Sequence, residues 1–286
     1  MTAPPGYDLG PAYAEDATGV FYKAVQVSLA RPVTVKMLRE GTAKDDPAFA
    51  HFVKEIAVVT SLEHANLLLA VDSGAMRGMP YLVTESTIEP TLLKALRDRE
   101  PLAEPRAVRI ALGIAHAIRH LESKHFIYKN LNAKHVLLPR PAAPKLTTFR
   151  LVKPISEAAV FRRSNVQSAN YCAPELVRDD LGPVTNRANV YALGALLYHM
   201  LSGLPPADGL EGDVRELHAD GEIPPLKTLR PYLRDRAHTV VGKLMARDPA
   251  ARPDPGTAVA LLEAYANDPL LNKSITKKKR RRRRRR

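Results

Sequence analysis

The stretch Phe126-Ile127-Tyr128-Lys129-Asn130-Leu131-Asn132-Ala133-Lys134-His135-Val136-Leu137-Leu138 constrains the fold of this chain more than any other. It follows a long amphipathic pattern over Glu104–Lys124 and closes in an apolar run of valine and leucines. It therefore reads as helix, exposed loop and short buried strand. The chain before it has a different character. From Tyr7 to Leu38 the pattern is of short strands and tight turns, with Gly19–Val25 and Pro32–Leu38 alternating and rich in β-formers. Asp45–Leu62 predicts one helix: Asp45 or Asp46 can cap it, Pro47 suits an early position, and Phe52, Ile56, Val59 and Leu62 share a face. Leu67–Val71 and Pro80–Thr84 predict two further strands around a turn over Gly74–Gly78.

From Thr91 onward the expectation is chiefly helical, over Thr91–Arg99, Glu104–Lys124, Asn186–Gly203, Arg234–Ala246 and Asp254–Ala266, with no fixed-period repeat. At 286 residues and 45% hydrophobic composition the chain can build one large domain or two small lobes. A single cysteine, Cys172, excludes an internal disulfide framework and predicts a reducing, cytoplasmic setting. The start, Met1–Gly6, shows no signal-peptide pattern. The longest apolar run, Tyr191–Met200, is too short to span a bilayer and contains His199, so no membrane span is expected. His116 and His120 have i, i+4 spacing, but no acidic or cysteine third ligand accompanies them or His125. Solvated or capping histidines are expected, and no metal site.

The central stretch has the length and apolar frame of the protein-kinase catalytic loop H-R-D-L-x-x-x-N, and further landmarks follow in that family's order. Val33-Thr34-Val35-Lys36 is similar to the strand motif V-A-I-K, and Glu55 stands in the helix of the family's partner glutamate. Tyr81–Ser86, including Thr84 and Glu85, looks like the last strand and the hinge. Ala173-Pro174-Glu175 is an intact A-P-E, and Asn189–Gly203 is close to the central helix of bacterial Ser/Thr kinases. Arg247–Pro253 resembles the late loop whose arginine, here Arg252, pairs with the A-P-E glutamate. The resemblance covers roughly Tyr7–Ala266. It implies an α+β, bilobal kinase-like fold: a β-rich N-lobe with one helix over residues 1–86 and a helical C-lobe over 87–270; residues 271–286, beyond the resemblance, are expected to be a disordered basic tail. Lys36–Glu55 and Glu175–Arg252 are the ion pairs the resemblance implies.

The chemistry departs from that frame. Asn130 stands at the catalytic aspartate, and an amide has no titratable lone pair with which to take a proton from a hydroxyl. His135 stands at the metal-binding asparagine and Tyr128 at the leading histidine. Thr148-Phe149-Arg150 replaces D-F-G. Magnesium wants anionic or carbonyl oxygen in octahedral geometry, which a hydroxyl and an imidazole beside an added arginine do not supply. The glycine-loop frame falls on Ala14–Gly19 and keeps only Gly19. Glu15 and Asp16 set negative charge where a triphosphate needs N–H donors, and the turn reads as an ordinary acidic surface turn. Phe21 and Thr34 either fill and polarise the adenine slot or, for Phe21, simply pack in the β lobe. Asn189 replaces the aspartate that anchors the loop backbone, and its amide can still cap loop N–H groups.

The functional expectation is a catalytically impaired Ser/Thr kinase-like domain, a pseudokinase. It would act as a scaffold or regulator for a protein partner such as an active kinase or another signalling protein. No cofactor is expected: ATP would bind weakly and magnesium poorly. One alternative is a weak ATP-binding Ser/Thr kinase that uses Lys36 and a non-standard base. Another is a carrier for the tail, since ten of the thirteen net positive charges lie in Lys277–Arg286, leaving three for the body. That run has no apolar residue and repels itself, so it is expected to be disordered alone and to bind nucleic acid or other polyanions by counterion release. Retention on heparin or RNA should fall steeply with salt and vanish when residues 273–286 are removed; unchanged retention after truncation would refute it.

Overall fold

The computed structural model describes residues 2–140, 143–161 and 169–271. The basic run Lys277–Arg286 lies outside the described residues. The chain divides into two compact units: one holds the residues up to Glu89 together with Leu146–Val152, and the other holds Pro90–Lys145 and the chain from Lys153 onward.

In the first unit the alternating segments form β1 (Tyr7–Glu15), β2 (Val20–Gln26), β3 (Arg31–Met37), β4 (Ala70–Met76) and β5 (Met79–Glu85). They make a five-stranded antiparallel sheet in the order β1-β2-β3-β5-β4. The central strand β3 is buried on both sides. Val33, Val35 and Met37 join Tyr81 and Val83 of β5 in the core, while the alternate positions Thr34 and Lys36 point the other way and are also buried. The helix α1 (Pro47–Thr60) starts where Asp46 accepts a hydrogen bond from Ala48 N at 2.7 Å, and it buries Phe52, Glu55 and Val59 on one stripe.

Two local expectations are corrected. The fourth strand is Ala70–Met76, not Leu67–Val71. Leu67 forms a parallel bridge with Leu146 instead, and Leu68 N donates to Leu146 O at 2.9 Å. That pairing ties Leu146–Val152 to the first unit, so the unit is not one continuous run of chain. The turn is also tighter than Gly74–Gly78. Arg77 and Gly78, at φ 52° and 78°, make a two-residue hairpin loop with both residues left-handed, and Gly74–Met76 stay in the strand.

The second unit begins with α2 (Leu92–Ala95), capped by Thr91 Oγ1. The helix stops short of the expected Arg99, which takes φ 54° two residues before Pro101. Then come α3 (Glu104–Ser123), β6 (Phe126–Tyr128), β7 (Val136–Arg140), α4 (Arg187–Ser202), α5 (Glu211–Asp220), α6 (Leu226–Leu229), α7 (Asp235–Leu244) and α8 (Pro255–Ala266). The helix α5 is not foreseen by the apolar pattern. Among the described residues no helix is long and apolar enough to cross a membrane.

Burial of α4 is complete from Ala188 to Ser202, and so each polar side chain in it must find a partner inside the protein. Asn189 bonds the Tyr128 backbone, and Tyr191 pairs with His218 Nδ1 at 2.7 Å. Tyr198 donates to Pro224 O at 3.0 Å, His199 Nδ1 meets the Tyr171 hydroxyl at 2.8 Å, and Ser202 donates to Leu204 O at 2.6 Å. Beside α4, Arg252 and Glu175 form a bidentate ion pair at 2.7 and 2.8 Å with both side chains fully buried. The other three guanidinium N–H groups donate to Ala246, Arg187 and Arg247 carbonyls. Arg252 Cζ lies over the Tyr191 ring, 4.8 Å from its centroid.

Removing either member of this pair strands a buried charge, at a cost of about 3–5 kcal/mol. Glu175→Ala and Arg252→Ala should each lower the melting temperature by several degrees, and the double variant should lose little more than the worse single one; fully additive losses would show that the pair is not coupled. The buried histidines make a second prediction. Burial pushes His199, near Arg99, and His218 down to about 4. Unfolded histidine titrates near 6.5, so their contribution is present above that pH and is lost as pH falls from about 6.5 to 4, by about 3 kcal/mol each. Urea midpoints should drop across this window, and less so in His199→Asn and His218→Asn variants.

Candidate functional site

Antiparallel pairing sets Lys36 opposite Phe21 on β2 and Leu82 on β5, which carries its stem into the interior. A lysine that is 2% exposed needs acceptors for its three N–H groups. It has four. Lys36 Nζ lies 3.0 and 2.7 Å from Glu55 Oε1 and Oε2, 2.7 Å from Thr18 Oγ1 and 2.9 Å from Asp16 Oδ2. The Phe21 and Phe52 ring centroids stand 4.9 and 5.3 Å away. Phe21 thus packs against the ammonium, and it is only partly buried.

Asp16 is not part of an ordinary acidic surface turn, contrary to the sequence reading. Glu15 is exposed beside Arg39, but the Asp16 side chain is only 14% exposed. The turn aims it inward because Asp16 Oδ1 accepts from Thr18 N at 2.9 Å, Gly19 N at 3.1 Å and Thr18 Oγ1 at 2.9 Å. The Arg150 guanidinium lies 3.4 Å from Oδ2. Burial works to raise the Asp16 carboxyl, but the Lys36 charge and hydrogen bond, with the Thr18 N–H and hydroxyl, outweigh it and hold the group below the ordinary carboxylate range. The surviving glycine of the loop has a packing reason: a Cβ on Gly19 would lie 2.3 Å from Met37 O.

A hydroxyl cluster stands further along the sheet. Tyr13 on β1, Thr34 on β3 and Thr87 just beyond β5 converge. The Tyr13 hydroxyl is 3.0 Å from Thr34 Oγ1 and also bonds Thr87 Oγ1, and Thr87 N donates to Thr34 Oγ1 at 3.1 Å. Thr84 Oγ1 donates to Glu85 O at 3.0 Å, and Glu85 turns its carboxylate to Leu69 N at 2.8 Å. Thr148 holds φ 62° and ψ 58°, a left-handed conformation that is costly for a β-branched residue.

In the second unit Asn130 also sits left-handed, at φ 61°, which asparagine tolerates well. Asn132 Nδ2 donates to Asn130 O at 3.0 Å and meets Asn130 Oδ1 at 3.3 Å, while His135 Nδ1 lies 3.2 Å from Asn130 O. The loop is therefore closed by amide and imidazole contacts. Asn189 Oδ1 accepts from Tyr128 N at 3.0 Å and its Nδ2 donates to Tyr128 O at 2.6 Å. The second bond is one that an aspartate could not donate. Neither His135 nor Thr148 offers an anionic oxygen, so these positions do not fit magnesium. Among the described residues no three His, Cys, Asp or Glu side chains gather to hold a metal ion, and His116 faces Glu263 at 3.7 Å.

The structure brings Lys36, Glu55, Gly19 and Phe21 into one cluster and Thr34 with the segment after Thr84 and Glu85 into another. Sequence reasoning missed Tyr13, Thr18, Thr87 and the inward Asp16. The only available signal was Asp16-Ala17-Thr18-Gly19, an Asx-turn pattern whose direction the sequence does not disclose.

The family model described as "Protein kinase domain" matches residues 15–264. The chain is 28% identical over 233 residues to the serine/threonine-protein kinase PrkC of Bacillus subtilis, covering 81% of this chain and 36% of that protein. It is 30% identical over 220 residues to the probable serine/threonine-protein kinase PknB of Lactococcus lactis, covering 76% and 35%. It is 26% identical over 258 residues to the serine/threonine-protein kinase PknL of Mycobacterium tuberculosis, covering 89% and 64%. The chain spans little more than a third of the length of the first two. With a β-sheet unit, a helical unit and the landmark residues in order, the chain belongs to the protein kinase domain family, beside bacterial Ser/Thr kinases.

Proposed function

We propose that the protein is a pseudokinase, a Ser/Thr kinase-fold domain that works by binding a protein partner and transfers no phosphate. The observation that carries this reading is Asn130. At the position where a kinase needs a proton acceptor it presents a neutral amide, whose Oδ1 meets Asn132 Nδ2 at 3.3 Å while Asn132 and His135 hold the Asn130 backbone carbonyl. Thr148 adds a second loss, because a hydroxyl replaces a carboxylate there. The scaffold pairs Glu175–Arg252 and Asn189–Tyr128 remain fully made, which supports a shape kept for recognition by an active kinase or another signalling protein. A cytoplasmic setting belongs to the same proposal and rests on the single buried Cys172.

A second reading is favoured by the intact Lys36–Glu55 pair, which positions charge as in a working kinase. On that reading the protein binds ATP weakly and transfers phosphate with another base. Incubation with γ-labelled ATP and magnesium or manganese decides between them. The expected result is no label on the protein or on generic Ser/Thr substrates. Label that disappears in Lys36→Met would overturn the proposal and establish the second reading.

A further inference from the structure

We infer that the end of β1 is an internal occupant of the nucleotide pocket, with Tyr13 standing in for the base and Asp16 for the phosphates. This deepens the pseudokinase reading and rests on it for the location of the pocket. Both plugs, and the groups they engage, lie in the first unit.

On the phosphate side, an anion site is made of loop N–H groups and cations converging on one point. Here that donor set converges on Asp16: the Thr18 and Gly19 amides, the Thr18 hydroxyl, the Lys36 ammonium, and Arg150 at 3.4 Å. Lys36 has more acceptors than N–H groups, so an incoming phosphate would have to displace an oxygen already in place. The internal ligand has a large advantage, because it is covalently attached and gives up no translational freedom on binding. Displaced, it would remain beside the triphosphate as a like charge.

On the base side, two main-chain groups at the end of β5 and just beyond it already carry hydrogen bonds. The Thr87 N–H donates to Thr34 Oγ1 at 3.1 Å, and the Glu85 carbonyl accepts from Thr84 Oγ1 at 3.0 Å. The Tyr13 hydroxyl sits between Thr34 and Thr87 and bonds both, so its phenol stands against the wall a base would use. The two plugs are three residues apart at one strand end, and together they supply what a nucleotide brings: an aromatic ring with a polar edge, and an anion.

The two halves can be opened separately. Asp16→Asn keeps the shape of the turn and removes the charge. Tyr13→Ala removes the ring, and Tyr13→Phe removes only the hydroxyl. Circular dichroism and cooperative melting establish that each variant is folded. Binding is then measured by calorimetry in EDTA with inorganic tripolyphosphate, adenosine and ATP as probes. Asp16→Asn should gain tripolyphosphate affinity by at least about tenfold over wild type, Tyr13→Ala should gain adenosine affinity by a similar factor, and Tyr13→Phe should gain little. The double variant Tyr13→Ala/Asp16→Asn should bind ATP most tightly. In the wild type, millimolar ATP should leave the amide resonances of Thr18, Gly19 and Thr87 in place, a measurement that needs no variant. A saturable shift of those resonances, or folded variants that bind no better than wild type, would overturn the plug. Those outcomes leave the absence of phosphoryl transfer standing, whereas label transferred by the wild-type protein would remove that reading instead.

Discussion

A single buried ammonium organises the first unit. Lys36 cannot be left unsatisfied 2% exposed on the central strand, and the chain meets that demand with oxygen from three residues at once. Glu55 comes from α1, Thr18 and Asp16 from the turn between β1 and β2, and two aromatic rings close the remaining sides. Each contact also fixes an element: α1 is drawn onto the sheet, the β1–β2 turn is folded inward, and Arg150 of the returning segment is held over Asp16. Because low polarity strengthens such charge-assisted bonds and makes any unpaired member costly, the cluster is made completely or not at all.

The helical unit uses the same logic with a guanidinium at its centre. Arg252 has five N–H donors and five acceptors, two on Glu175 and three on backbone carbonyls, so it joins the A-P-E turn, the start of α4 and the chain before α8 in one network. The helix α4, buried from Ala188 onward, then finds a partner for each polar side chain of that stretch, and through Asn189 it grips the strand that leads into the Asn130 loop. These interactions are indifferent to whether the loop holds an aspartate or an asparagine, which is the physical reason the frame can persist while the chemistry changes. Thr148 makes a similar point from the backbone: it holds a left-handed conformation that a β-branched residue disfavours, so the surrounding structure imposes it.

Much of this was legible in the residues. Alternation placed the strands β2, β3 and β5, a capped periodic run placed α1, and the long apolar pattern placed α3 and α4 to within a residue or two of their ends. The pairs Lys36–Glu55 and Glu175–Arg252 were legible because charged residues at those places in an ordered set of landmarks have few other uses. The position of β4 was not, since Leu67 and Leu68 are as strand-like as Ala70–Met76, and it is their pairing with Leu146, far away in sequence, that takes them out of the sheet. The helix α5 was not legible either, because its helical state depends on packing in the second unit more than on its own weak pattern.

By itself, then, the sequence determined which residues are present and which are missing at each landmark: a neutral amide at 130, a hydroxyl at 148, an imidazole at 135, and one glycine left in the loop. Those facts bear on proton transfer and metal binding whatever the fold does with them, because they concern what a functional group can donate or accept. Only the tertiary structure decided where Asp16 points. Composition alone makes it a surface turn, and the direction of one carboxylate depends on three-dimensional convergence: two amides two and three residues on, an ammonium twenty residues on, and a guanidinium from a segment that returns much later in the chain. Such convergence leaves no period and no motif in the sequence, since each donor is set by a different strand register or loop closure.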